Sequence, residues 1–394
     1  MRTVTIRTGR AKPAWMGHPW VFADSIETVE EGEGDFVRVV DAHGDVVGRG
    51  FLSAASAIRV RLVARGDGEE SDEALLATRI AAAASLRRRL LPDPGFTNAY
   101  RLVHGEGDGL PGLVVDRFGP VLVAQFATKP MATRRATVAA ALLSATGATS
   151  LVSRPGGKEE EEGIDLASVP FAAGEPAPGT VEIAEEGMRL VADLSRGQKT
   201  GHYCDQRENR CLVAEVAAGA RVLDLHTGTG GFAIRALGAG ATSCEAVDSS
   251  GAALETARGN AARNGVEERV RFVEADVLAH LEALGRAKTT FDLVVLDPPK
   301  LATTRPGLAR AMDLYKRLNV RALVRTEPGG ILATFSCSGL VGVEAFAEMV
   351  EAAARECRRR LSVLRTLGAG PDHPVDPGCP EGRYLTGLLV RVTA

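Results

Sequence analysis

Cys337 stands in a polar turn, Ser336-Cys337-Ser338-Gly339, directly after the apolar run 330–335. A cysteine inside an apolar run is ordinarily a small buried side chain, but at the end of a strand and in a polar turn it is a candidate nucleophile. A second turn, Asp297-Pro298-Pro299-Lys300, follows the run 292–296. If the two runs are strands of one parallel sheet, thiol and carboxylate share an edge. Carbon 5 of a pyrimidine is a poor nucleophile; a thiolate that adds to carbon 6 makes carbon 5 enamine-like and able to attack an electrophilic methyl group. The carbon-5 proton must then leave and the thiolate be expelled, which needs a base. Asp297 is placed to hydrogen-bond the cytosine edge, and Asp297 or a water is the candidate base. The substrate base has to leave its stack or be single-stranded already. Lys300 stands where enzymes that methylate exocyclic amines commonly carry a stacking ring, which weighs against amine chemistry.

A methyl donor is implied by residues 222–234. Asp224 closes a short apolar run, Gly228, Gly230 and Gly231 make a tight turn, and an Ala/Leu-rich helical pattern begins. Strand, loop and helix in that order open a nucleotide-binding α/β sheet. Glycines are expected where a ligand lies against bare backbone. Asp248 closes the next strand, at the place for ribose hydroxyls, which suits NAD as well as S-adenosylmethionine (SAM). Three acids tilt the reading to SAM. Asp224 can meet the methionine end, Asp276 after 272–275 can reach the adenine amine, and Asp297 ends the fourth strand before two prolines.

These turns need a scaffold. The 394-residue length predicts two or three domains. Residues 1–66 read as a β-rich module, with strands at 35–40, 45–52 and 57–63, the last turning Arg59 and Arg61 to one face. Residues 71–186 read as an α+β domain that opens with a helix over 71–91, capped by Ser71 or Asp72. The acidic run 158–163 reads as a mobile charged loop, and Arg87-Arg88-Arg89 and Arg358-Arg359-Arg360 as solvated helix faces or local RNA patches. Residues 187–394 read as a Rossmann-like domain, in which strand and helix patterns alternate from 220 to the end and predict a doubly wound, largely parallel sheet. A strand at 187–194 leads into the polar loop 196–207, which precedes the cofactor strand and is placed to fold over the cofactor. The net charge of −3 advertises no global nucleic-acid field. The six cysteines show no metal-ligand spacing, and no secretory or membrane-spanning segment is evident, so a reduced, metal-free, cytoplasmic protein is expected.

The motifs resemble the RlmI-like bacterial methyltransferases that make 5-methylcytosine in 23S, large-subunit ribosomal RNA, and the resemblance covers nearly the whole chain. His18-Pro19-Trp20 and the strands after it are similar to the family's N-terminal PUA domain, an RNA-binding module. The stretch 101–113, Arg-Leu-Val-His-Gly-Glu-Gly-Asp-Gly-Leu-Pro-Gly-Leu, is similar to the signature of its central α+β domain. Gly197–Gly201 with Asp205-Gln206-Arg207 matches the loop before its SAM domain, and Asp297–Lys300 and Ser336–Ser338 match its catalytic turns. The resemblance puts Cys337 on the nucleophile. His226-Thr227-Gly228-Thr229 and Cys204 depart from the family's pattern around the cofactor.

The expected catalytic pair is Cys337 and Asp297. SAM contacts are expected from Tyr203 and Arg207 in the preceding loop, from Asp224 and Thr227, Gly228, Thr229, Gly230 and Gly231, and from Asp248, Ser249, Asn264, Asp276, Val277, Asp297 and Pro298. Lys199, Pro299, Lys300 and Ser336 are expected to meet substrate RNA. No metal is expected, and a homodimer is left open. The alternatives are a purine methyltransferase in which Cys337 is structural, a non-catalytic RNA-binding assembly factor and, least favoured, a nicotinamide enzyme.

Overall fold

The computed structural model describes residues 1–157, 159–195 and 200–393. The chain forms two compact units, one of Met1–Ile183, Ala192–Cys204 and Pro371–Gly382, the other of Ala184–Val191, Asp205–Gly370 and Arg383–Ala394. A two-stranded ribbon, Thr180–Glu185 with Met188–Asp193, has residues 180–183 and 192–193 in the first unit and 184–185 and 188–191 in the second.

The first unit holds two sheets. Six strands, in the order Trp20–Phe22, Ile58–Arg65, Val46–Leu52, Phe36–Val40, Arg2–Ile6 and Ile26–Val29, form the N-terminal one. Its valines and leucines, among them Val37, Val39, Val60 and Leu62, make a buried core of their own. The turn at 41–45 is closed by the Asp41 carboxylate, which accepts from the backbone N–H groups of His43 and Asp45. The second sheet has five strands, with Ala99–His104 at one edge and Ala172–Gly174 at the other. A helix over Asp72–Leu90 packs with it, started by the Ser71 hydroxyl on the N–H of Ala74.

Three sequence expectations change here. Arg61 is buried and paired to Glu162 at 2.7 Å, so it does not share a solvent face with half-buried Arg59. Glu162 and Glu159 are in turn buried, Glu159 accepting from the N–H groups of Gly156 and Gly157, so the acidic run is pinned at two of its carboxylates. Lys158 lies outside the described residues. Arg87 is fully buried: it forks onto Asp108 and donates to the carbonyls of Arg101 and Asp372. An arginine can leave water only when most of its donors are satisfied, and these partners do that. Arg88 and Arg89 are exposed.

The second unit is built on one seven-stranded sheet. In chain order its strands are β1 (Arg221–Leu225), β2 (Ser243–Asp248), β3 (Val270–Glu274), β4 (Phe291–Leu296), β5 (Thr326–Ser336), β6 (Arg360–Gly368) and β7 (Thr386–Thr393). The spatial order is β3-β2-β1-β4-β5-β7-β6, parallel from β3 to β5 with β7 antiparallel to its neighbours. The helices used below are α1 (Arg207–Ala214), α2 (Gly231–Gly238), α3 (Gly251–Arg263), α4 (Val277–Arg286) and α5 (Leu308–Arg325). Strands β1 and β4 read as near-continuous apolar runs because helices cover both faces, and their residues from 222 to 225 and 293 to 296 are buried. No helix among the described residues is long and apolar enough to cross a membrane.

Candidate active site

Parallel strands deliver their carboxyl ends to one edge, and the order of connection reverses between β1 and β4, where open α/β sheets bind ligands. The register aligns Leu225 with Leu296 and Leu296 with Thr334. The turns after β1, β4 and β5 are therefore neighbours, and the N–H of Asp297 donates to the Leu225 carbonyl at 3.3 Å.

The turn after β1 is made by left-handed backbone at His226 (φ 62°), Gly228 (φ 57°) and Gly230 (φ 86°). The glycines do different jobs. A Cβ on Gly231 would lie 2.5 Å from Arg210 Nε, and one on Gly230 3.2 Å from Ala257 and Ile234. Packing therefore demands a glycine at Gly231, whereas at Gly230 the left-handed backbone does. Gly228 alone of the three faces open space. Its N–H donates to Asp248 Oδ2 at 2.9 Å, and the other Asp248 oxygen accepts from Ser250.

Asp224 is fully buried. Its Oδ2 accepts from the Thr227 hydroxyl (2.6 Å) and the Ala233 N–H (3.1 Å), whereas Oδ1 has no partner among the described residues. Burial pushes its carboxyl up to about 6, against the opposing pull of those two hydrogen bonds. His226 is pulled below the usual imidazole range by burial, opposed by the charges of Asp248 and Asp276. Asp276 is exposed and caps α4 through Ala279, and Ser249 is exposed at the end of β2. Val277 belongs to the apolar core, so only its backbone N–H, in the open first turn of α4, is available to a ligand. The edge thus offers an orphaned buried carboxylate oxygen, a loop uncovered at Gly228 and further acids at two strand ends. Those acceptors fit a ligand that carries an ammonium, ribose hydroxyls and an exocyclic amine, which is what SAM presents.

Two expected cofactor residues turn elsewhere. The Asn264 amide accepts from the Arg189 N–H and donates to the Arg189 and Asn260 carbonyls, which leaves it no role at the loop. One turn earlier on α3, buried Asn260 donates to the Thr229 carbonyl at 3.1 Å and holds the glycine loop; sequence reading missed it. Arg207 is buried at the start of α1 beside Glu186 and Glu208. Tyr203 is half-buried and belongs to the first unit. Lys199 lies outside the described residues.

At the other end of the site Cys337 is half-buried, with Sγ 3.8 Å from the Pro298 carbonyl. Pro298 is buried, Pro299 and Lys300 are exposed, and Asp297 is half-buried. Ser336, expected to meet RNA, is fully buried; its hydroxyl donates to Tyr315 and accepts from the Ser338 N–H, so it faces α5.

In the first unit His18, Cys379 and Glu381 offer atoms within 4.8 Å of one another. His18 Nδ1, however, accepts from the Trp20 N–H, so Nε2 carries the ring proton toward Glu381 and has no lone pair for a metal.

Residues 101–387 match the S-adenosylmethionine-dependent methyltransferase family, and residues 4–65 match the PUA-like domain. The chain is 37% identical over 394 residues to ribosomal RNA large subunit methyltransferase I of Shewanella frigidimarina, covering 99% of both chains. It is 35% identical over 393 residues to the protein of that name from Klebsiella pneumoniae, covering 99% of this chain and 98% of that one. A solved structure from Streptococcus mutans, described as a SAM-dependent methyltransferase, shares the fold with a TM-score of 0.84 at 18% identity, over 99% of this chain and 100% of that one. A structure described as a methyltransferase in complex with S-adenosylhomocysteine does so with a TM-score of 0.86 at 18% identity and the same coverage. The architecture is a Rossmann-like SAM-dependent methyltransferase domain behind an N-terminal PUA-like domain, and SAM is the cofactor. The chain belongs to the S-adenosylmethionine-dependent methyltransferases, in the family of the proteins named ribosomal RNA large subunit methyltransferase I.

Proposed function

We propose that this chain methylates carbon 5 of a cytosine in large-subunit ribosomal RNA, through a covalent bond between Cys337 Sγ and carbon 6 of the base. The observation that carries the reading is the placing of Sγ 3.8 Å from the Pro298 carbonyl, beside the Asp297 turn. The names of the relatives supply the RNA.

When bound, SAM would supply an electrophilic methyl group, its sulfur–methyl bond breaking on transfer to leave S-adenosylhomocysteine. Cys337 as thiolate bonds carbon 6, and the electrons of the 5,6 double bond move toward the ring nitrogen and carbonyl. Asp297 holds the polar edge of the base and favours the proton on its ring nitrogen, which lowers the barrier to that addition. Carbon 5 takes the methyl group. A base, Asp297 or a water it holds, removes the carbon-5 proton; the double bond re-forms and Sγ leaves. Asp224, Thr227, Gly228, Thr229, Gly230, Asp248, Ser249, Asp276 and Pro298, with the Val277 N–H, hold the cofactor, and exposed Pro299 and Lys300 meet the RNA. Residues 1–66 and the domain over 71–186 select the RNA, and the reaction takes place in the cytoplasm.

The test is transfer of labelled methyl from SAM to large-subunit ribosomal RNA lacking its base methylations, with the labelled nucleoside identified by mass. Wild type should yield 5-methylcytosine and Cys337→Ala none. A methylated purine formed equally by both would overturn the reading.

A further inference from the structure

The residues around Cys337 alternate. Thr334, Ser336 and Ser338 are fully buried, and Cys337 between the last two is not. In extended chain every second side chain points the same way, so a row of hydroxyls faces α5 while the thiol faces the opposite side. On α5 the row meets Tyr315 and Asn319, one turn apart and both fully buried. Thr334 donates to Asn319 Oδ1 at 2.8 Å, Ser336 donates to the Tyr315 hydroxyl at 3.0 Å, and the Tyr315 hydroxyl lies 3.1 Å from Ser338 Oγ. The Ser338 N–H donates back to Ser336 Oγ at 3.3 Å. With one proton per hydroxyl the ring closes: Ser338 N–H to Ser336, Ser336 to Tyr315, Tyr315 to Ser338 Oγ. Ser338 Oγ also accepts from the Ala302 N–H at 3.1 Å, so the same hydroxyl group ties in the chain that leaves the Asp297 turn.

We propose that Tyr315 is a positioning residue for the nucleophile: its hydroxyl locks Ser336 and Ser338 on either side of Cys337 and so aims Sγ past the Pro298 carbonyl at carbon 6. This rests on the reading of Cys337 as the nucleophile. Misplacing a reacting atom costs rate before it costs binding, because only the transition state needs the alignment. Removing the Tyr315 hydroxyl leaves the turn in place but free to turn the thiol.

The test uses ribosomal RNA transcribed with 5-fluorocytidine. Fluorine at carbon 5 cannot be taken off as a proton, so the Sγ–carbon 6 bond persists and the protein–RNA adduct can be counted on a denaturing gel. Wild type should form the adduct and Cys337→Ala should not. Tyr315→Phe should form it about tenfold more slowly in single turnover, with half-saturation by RNA and the Kd for SAM unchanged. Ser338→Ala should show a smaller slowing. Thr334→Val breaks the tie to Asn319 outside the turn and should keep the wild-type rate at a similar loss of Tm. Tyr315→Phe at the wild-type rate, or slowed no more than Thr334→Val, would overturn the positioning role alone. Absence of any wild-type adduct on RNA that the protein methylates would overturn the nucleophile and the positioning role together.

Discussion

After β1 the chain turns on left-handed backbone at His226, Gly228 and Gly230, with Asp248 and Asn260 bonding its backbone from outside the loop. After β5 it turns on side-chain hydroxyls, with Ser336, Ser338 and Tyr315 closed into a buried ring. Both turns lie at the same edge of the same sheet. A loop that must let a cofactor lie against it is shaped by conformation and left open at Gly228. On the proposed reading the second turn aims one sulfur, and buried hydroxyls hold it from the α5 side. Losses of binding and losses of rate should therefore separate cleanly between the two turns.

The largest effect is expected at the second turn. Cys337→Ala should lower methyl transfer by at least about a thousandfold, as removal of a nucleophile does, while the Kd for SAM measured by calorimetry stays put. A matching loss of SAM affinity would break the comparison. Asp224→Asn should do the reverse, weakening SAM by roughly tenfold to a hundredfold, the range for a charge-assisted hydrogen bond, and leaving adduct formation possible at saturating SAM.

Asp224 also sets a pH dependence. Its folded carboxyl titrates at about 6, above an unfolded value of about 3.9. Between those values the folded state holds the extra proton. Stability from this group is therefore greatest below the window and falls as pH rises through it. SAM binding should run the other way, because the ionised carboxylate is the better acceptor: affinity should drop as pH falls through about 6. In Asp224→Asn that dependence should vanish; if it persists, another group carries it.

The glycines give a finer separation. Gly231→Ala should destabilise the fold by about 1–3 kcal/mol, since its Cβ would strike Arg210, which is held bidentately by buried Glu185. Gly228→Ala should cost about 1–2 kcal/mol through its left-handed backbone and should also weaken SAM. Equal effects of the two on SAM would mean that the cofactor lies along the whole loop rather than over Gly228. In the melting curve Tyr315→Phe should cost as little as Gly228→Ala, about 1–2 kcal/mol for one buried hydrogen bond and an orphaned serine hydroxyl, and it should leave SAM binding alone.

Much of the edge was legible because it is written locally. Asp224 with its glycines, Asp297 with its prolines and Cys337 with its serines each follow an apolar run, and the strand order β3-β2-β1-β4-β5 brings those ends together. What sequence could not show depends on partners distant in the chain. Arg87 sits in a basic triplet that looks solvated until Asp108 and the Asp372 carbonyl close over it. Ser336 beside a candidate nucleophile looks like a substrate contact until Tyr315, on a helix 21 residues earlier, takes its hydroxyl. Asn260 and Asn264 lie one helical turn apart and differ only in what packs above each, the Thr229 carbonyl or the backbone of Arg189. A periodic pattern fixes a face; which residue of that face meets the loop is decided by packing.

The most direct test of the central claim is release of tritium from ribosomal RNA labelled at carbon 5 of cytosine. One tritium should appear in water for each methyl group transferred, with none released by Cys337→Ala or by wild type without SAM. Methyl transfer that leaves the tritium in place would contradict the account, since carbon 5 would then not be the atom methylated.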